Sequence, residues 1–257
     1  MAITAIEYSL FRSLREQNVL PLRGDILELG EANWYCDVDL SLLGQDIHRF
    51  APEESRQRLF QQLDEIAKAK RPGILWEIAN VYWQTFFQPR SMAAIDFHGT
   101  ERALKLDLND PIDLQRQFHV VLNLGTVEHV FNVAQAFRTI HDHTLPGGLM
   151  VHGMPFAGLV DHGFYSFNPT FYLDLAAING YEVLVALYAE VNPMKLVQFQ
   201  TREQILEMAK NGQIGKNALI YAVLRRPAES RPFRVPIQGY YAESISREAA
   251  DAWNTLR

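Results

Sequence analysis

Glu128 and His129 stand side by side, shortly after the apolar run Val120-Val121-Leu122 and a turn at Leu124-Gly125-Thr126. An acid next to an imidazole is a proton-handling pair. The ring titrates near neutral pH, and the acid can orient it or contact a substrate. Three more acids lie in or close short apolar runs: Glu28 in Ile26-Leu27-Glu28-Leu29-Gly30, Asp96 after Ala93-Ala94-Ile95, and Asp107 in Leu106-Asp107-Leu108. An acid at a strand end can accept both hydroxyls of a ribose, although Asp at such ends is also common in turns. His152 and His162 are alternatives to His129 for the proton-handling role, since both sit at or after the end of another run, Leu149-Met150-Val151, on what reads as the same rim. The spacing His152-x8-Asp161-His162 admits a metal site without being diagnostic. A satisfied loop histidine is the plainer reading, and no metal ligand is assigned. His141 and His143 fall near a helix C-terminus, where a cationic ring suits the dipole. They carry no assigned chemistry.

These groups need a scaffold, and the patterning around them supplies one. The run at Val120 reads as a buried strand of a parallel sheet. Asn132 is placed to cap a helix carrying Ala134, Phe137, Ile140 and His141 at helical spacing. Pro146-Gly147-Gly148 stops that helix, and a second buried strand begins at Leu149. Strand, helix and strand within about 35 residues have the size of a βαβ unit, whose ligands sit at the carboxyl ends of its strands. Upstream, the pattern predicts a helix over 4–17, a strand ending at Gly30, helices on either side of Pro72-Gly73, and strands at Ala93 to Gly99 and Ala103 to Leu108. Trp76, Tyr82, Trp83, Phe86 and Phe87 crowd the second of those helices. They line an acceptor pocket, bury against a second copy, or form plain core, the last being the simplest. Downstream come a helix from Asn168-Pro169 to Asn179-Gly180, a strand from Tyr181 to Val191, a short helix from Glu203 to Lys210 and a strand from Asn217 to Leu224. The tail from Pro227 is extended before a final short helix and contains no readable motif.

Val120-Val121-Leu122, Glu128-His129-Val130 and Leu145-Pro146-Gly147-Gly148-Leu149 together resemble the second half of a class I S-adenosylmethionine-dependent methyltransferase. The resemblance implies an α/β fold: a seven-stranded, mostly parallel Rossmann-like sheet with a helical insertion or cap. It implies a domain over residues 24–225 with its insertion at about 50–90, an N-terminal helix within 1–23, and an extension over 226–257. S-adenosyl-L-methionine would touch Glu28, Gly30, Asp96, Phe97, Asp107, Leu108 and Asn123, with Asp96 on the ribose, Asp107 facing the adenine amino group and Leu108 on the ring. His129 would be the base and Glu128 its orienting or acceptor-contacting partner. The acceptor would be a small or sugar-like molecule, methylated on oxygen or nitrogen rather than carbon. The chain departs from the family in one place. Where an acid-x-Gly-x-Gly-x-Gly loop is usual, Ala32 and Trp34 replace the later glycines. Trp34 is either the aromatic wall of an altered cofactor loop or a buried ring behind a strand that holds no cofactor. The alternative function is a non-catalytic binding or scaffold subunit. A nicotinamide-dependent oxidoreductase is disfavoured, because there is no G-x-G-x-x-G turn.

The totals narrow the partners. Over 257 residues the formal charge is −6 and 48% of residues are apolar. An acidic chain lacks the basic stripe that nucleic acid demands. No apolar run approaches the roughly 20 residues of a membrane span, and the N-terminus lacks the order of a signal peptide. The single cysteine, Cys36, fits a reducing, cytoplasmic setting. The expected partner is therefore a small molecule, with the aromatic-rich insertion offering a homodimer face.

Overall fold

The computed structural model describes residues 1–69 and 71–255. Seven strands form one sheet in the order β4-β2-β5-β6-β9-β7-β8: β2 (Asp25–Leu29), β4 (Ser91–Ile95), β5 (Phe118–Leu124), β6 (Thr144–Ala157), β7 (Glu182–Glu190), β8 (Lys195–Phe199) and β9 (Ala218–Arg225). A separate two-residue pair joins β1 (Ala2–Ile3) to β3 (Asn33–Trp34). The expected α/β class with a seven-stranded sheet is the fold found. The described residues contain no helix long and apolar enough to cross a membrane. The chain divides into two compact units, Met1–Leu106 with Phe118–Leu124, and Asp107–Gln117 with the chain from Gly125 onward.

In the first unit β2 is buried along its whole length and pairs in parallel with β4 on one side and β5 on the other. Burial at all five positions, with Ile26, Leu27 and Leu29 apolar and the acids Asp25 and Glu28 hydrogen-bonded to neighbours, is that of a strand covered on both faces. The unit also holds four helices: α1 (Ala5–Glu16), α2 (Leu40–Phe50), α3 (Glu53–Lys68) and α4 (Ile74–Phe86). Thr4 opens α1 with a reciprocal capping box to Glu7, which satisfies two of the orphan N–H groups of the first turn. The rings of α4 resolve in favour of core. Tyr82, Trp83, Phe86 and Phe87 are all 1% exposed or less and pack on Tyr8 and Phe11 of α1. Trp34 joins the same cluster, edge-on to Tyr8 and Tyr82. Its ring is buried in that cluster.

The expected third strand at Ala103 to Leu108 does not form. A single parallel bridge, Ile95 to Leu104, takes its place. Leu104 and Leu106 are exposed, so extension there buries no continuous face. Immediately after Leu106, the Asp107 carboxylate accepts the Asn109 backbone N–H at 2.8 Å, and such an Asx turn competes directly with a sheet ladder. The helix α2 was not foreseen at all. Its signals are present, with Asp39 accepting the Ser41 N–H as N-cap and Leu43 and Ile47 forming the buried stripe.

In the second unit β6 pairs antiparallel with β9, β9 with β7 and β7 with β8. The helices are α5 (Val133–His143), α6 (Pro169–Asn179), α7 (Arg202–Lys210) and α8 (Arg247–Thr255). Asn132 does cap α5. Its side chain accepts the Gln135 N–H and donates to the Asn109 carbonyl. Asn132→Ala is expected to cost about 1 kcal/mol in urea unfolding, and an unchanged midpoint would remove the cap from the account. Gly180 ends α6 in the left-handed region at φ 68°, as a C-cap glycine does.

Three histidines depart from expectation. His141 is buried. Its Nδ1 lies 2.5 Å from the Tyr181 hydroxyl, its Nε2 lies 2.7 Å from the Arg231 carbonyl, and burial lowers its pKa. His143 accepts the Leu114 N–H on Nε2 at 3.0 Å, a contact that requires an unprotonated nitrogen. Both rings therefore tie loops to the helix end rather than oppose its dipole as cations. His152 is not on the strand rim. It lies mid-strand in β6, fully buried between Phe137 and Tyr172, and burial depresses its pKa to about 3.

Candidate functional site

Two constellations hold the residues named from sequence, one in each unit. In the first, Gly30 leaves β2 at φ 81°, a conformation that glycine adopts without a Cβ penalty. Its N–H reaches the Ile95 carbonyl at 2.7 Å, locking the turn to the end of β4. Asp96 follows at once. One carboxylate oxygen accepts the Glu31 N–H and the other the His98 N–H, each at 2.8 Å. A carboxylate offers about four lone-pair sites, so acceptor capacity remains. Phe97 beside it is 58% exposed. Gly99 is needed for this approach, because a Cβ there would stand 2.8 Å from a Glu31 carboxylate oxygen and 3.0 Å from the Asp96 Cβ.

Glu28 points elsewhere. Its carboxylate accepts the Trp83 indole N–H at 2.8 Å, and burial pushes its pKa up to about 8. A cavity of about 570 Å³ opens beside these groups, lined by Glu28, Glu31, Ala32, Trp76, Asn80 and Trp83 among others. That volume lies in the range of small-molecule sites. Asn123, near the end of β5, is wholly buried.

In the second unit Asp107 is exposed, its carboxylate spent on the Asn109 turn, while Leu108 is buried. The more organised group is around Glu128. A 3₁₀ turn, Val127–His129, follows Gly125, which lies at φ 74°. The turn sends Glu128 inward and His129 outward, with side chains 0% and 48% exposed. Neither Glu128 oxygen receives a hydrogen bond among the described residues. Two imidazoles face Oε1: Nε2 of His129 at 3.8 Å and Nε2 of His162 at 3.6 Å. Burial raises the Glu128 pKa to about 7. Burial first, then the neighbouring His162, lowers that of His129.

The loop that carries His162 is held by backbone. The N–H groups of Phe164 and Tyr165 donate to the Glu128 carbonyl at 2.8 and 3.3 Å. Gly163 makes the approach possible, since a Cβ there would sit 3.0 Å from that carbonyl and 3.2 Å from Nδ1 of His129. Phe131 and Phe164, 72% and 65% exposed, meet edge to face at 5.9 Å on the same loop system. Sequence reasoning found Glu128 and His129 as a pair. It named His162 only through His152, which lies in the core, and it missed Gly163. Nothing in local spacing ties residue 162 to residue 128.

No protein-family model matches the sequence, and no curated protein matches it. Solved structures do resemble it. The chain is similar to S-adenosylmethionine-dependent methyltransferases. N-methyltransferase NodS from Bradyrhizobium japonicum WM9, in complex with S-adenosyl-L-homocysteine, aligns with TM-score 0.46 at 8% identity, over 86% of this chain and 86% of that one. An S-adenosylmethionine-dependent methyltransferase from Mesorhizobium loti aligns with TM-score 0.46 at 15% identity, over 86% and 98%. The 1,6-didemethyltoxoflavin-N1-methyltransferase of Burkholderia thailandensis aligns with TM-score 0.38 at 11% identity, over 87% and 79%.

Proposed function

We propose that the chain is a class I methyltransferase that uses S-adenosyl-L-methionine to methylate an oxygen or nitrogen of a small acceptor. The observation that carries this reading is the junction at the ends of β2 and β4. There a positive-φ glycine turn and a strand-end carboxylate are hydrogen-bonded through Glu31, the arrangement a nucleotide ribose requires. Asp96 binds the ribose hydroxyls, the Gly30 turn lets the backbone approach, and exposed Phe97 offers a face for the base. Glu28, hydrogen-bonded to Trp83, braces the turn from behind.

S-adenosylmethionine supplies an electrophilic methyl carbon on a sulfonium, and the carbon–sulfur electron pair returns to sulfur as an acceptor lone pair bonds the carbon. The acceptor proton passes to the exposed ring of His129. Glu128 lies behind that ring, fully buried, and stabilises the positive charge that develops on it. The exposed Phe131 and Phe164 faces suit an acceptor with an apolar or sugar-ring face.

Calorimetric titration with S-adenosylhomocysteine tests the cofactor half. The parent protein is expected to bind in the micromolar range, and Asp96→Ala to bind at least about tenfold more weakly, the scale of losing a charge-assisted hydrogen bond. A matched thermal midpoint checks that the variant folds. Absence of binding in the parent, or equal affinity in the variant, would remove this assignment and favour a scaffold subunit.

A further inference from the structure

We infer that Glu128, His129 and His162 form a binding site for one divalent transition-metal ion of the zinc type. The three groups converge without bonding to one another. An imidazole hydrogen-bonded to a carboxylate would lie about 2.7–2.9 Å from it, whereas both Nε2 atoms stand 3.6–3.8 Å from Oε1 of Glu128. All three donor atoms lie within 4.8 Å of one another. Ligands about 2.1 Å from a tetrahedral ion are themselves about 3.4 Å apart, so the observed spacing is that of atoms around a common centre.

A second observation is independent of the spacing. Glu128 is wholly buried, yet neither of its oxygens has a hydrogen-bond partner among the described residues. Buried polar atoms are nearly always satisfied, and an ion would satisfy these. The third is the construction of the loop. Two N–H groups clamp it to the Glu128 carbonyl, and Gly163 permits an approach that any Cβ would crowd. That fastening brings His162 to Glu128.

Two imidazoles and one carboxylate suit zinc, cobalt or iron(II) rather than magnesium, which prefers oxygen ligands. Three protein ligands leave a position open, as catalytic sites do. With the ion bound, Nε2 of His129 is a ligand and no longer a free base, and an acceptor hydroxyl or amine held at the open position would instead lose its proton to solvent more readily. That role rests on the methyl-transfer reading, whereas binding of the ion does not.

The test uses tag-free full chain, stripped with chelator and titrated with Co²⁺ in the absence of any cofactor. One equivalent is expected to bind with visible d–d absorption, to be displaced by Zn²⁺, and to persist in excess Mg²⁺. His162→Ala, in an exposed loop, and Glu128→Gln are each expected to weaken binding at least about tenfold with circular dichroism unchanged. Cys36→Ser is expected to leave binding intact. No cobalt spectrum in the parent, equal affinity in both site variants, or dependence on Cys36 would overturn the inference. Loss of S-adenosylhomocysteine binding with the cobalt spectrum retained would overturn the methyltransferase reading alone.

Discussion

Glu128→Gln is expected to slow the proposed methyl transfer by about 10²- to 10⁴-fold, the range for removing a group that handles the transferred proton. Affinity for S-adenosylhomocysteine is expected to stay unchanged. The substitution keeps the shape of a side chain that is wholly buried and removes its charge. In the ion-free site His129 then takes the acceptor proton with no anion behind it, and in the ion-loaded site, where His129 is a ligand, the ion loses its only charged ligand. The measurement is single-turnover kinetics with whichever hydroxyl or amine acceptor the parent methylates in a screen. His129→Ala should fall in the same range. The double variant should be no slower than the worse single one, because groups that act as a unit lose their effect together. Additive losses, or a Glu128→Gln rate within threefold of the parent, would detach this carboxylate from the chemistry.

The parts of the chain that were legible in sequence are those whose periodicity faces one environment. β2 and β5 carry the short apolar runs Ile26-Leu27 and Val120-Val121-Leu122 where they are buried, and α5 and α6 carry caps at Asn132 and Gly180 that local rules recognise. What was not legible depends on partners distant in sequence. Trp34 occupies a loop position by alignment of glycines, yet its ring belongs to a cluster formed by α1 and α4. The segment at Leu104 alternates like a strand, but the Asp107 turn withdraws it after one bridge. His152 looks like a rim residue if β6 begins and ends where its apolar run suggests. The strand in fact continues to Ala157, leaving His152 in its middle. The candidate site was half legible for the same reason. Glu128 and His129 are neighbours in sequence, whereas His162 reaches them only through the Gly163 loop.

Glu28→Gln is expected to change strongly how stability varies with pH between about 5 and 8. The carboxyl is completely buried. Burial is the chief cause of its rise from 4.5 to about 8, opposed by the Trp83 hydrogen bond and the N-terminal ammonium and aided by Glu31. Between those two values the folded protein retains a proton that the unfolded chain releases. The folded state therefore binds more protons, and stability falls as pH rises through the window, by about 1.4 kcal/mol per unit or about 5 kcal/mol across it. Below pH 4.5 the contribution is fully present, and above about 8 the loss is complete. His152 acts in the opposite sense. Its pKa is depressed from 6.5 to about 3, so its contribution is intact above 6.5 and disappears as pH falls. Stability in the parent is thus trimmed from both sides, and only the alkaline side belongs to Glu28. A glutamine retains an oxygen for the Trp83 N–H and has no proton to lose. Urea unfolding of parent and variant at matched pH isolates the difference. The variant should gain on the parent steadily from about pH 5 to 8 and hold a constant offset outside that interval. Parallel curves would mean that Glu28 is ionised in the fold throughout, with the Trp83 hydrogen bond sufficient to hold a bare carboxylate inside the sheet.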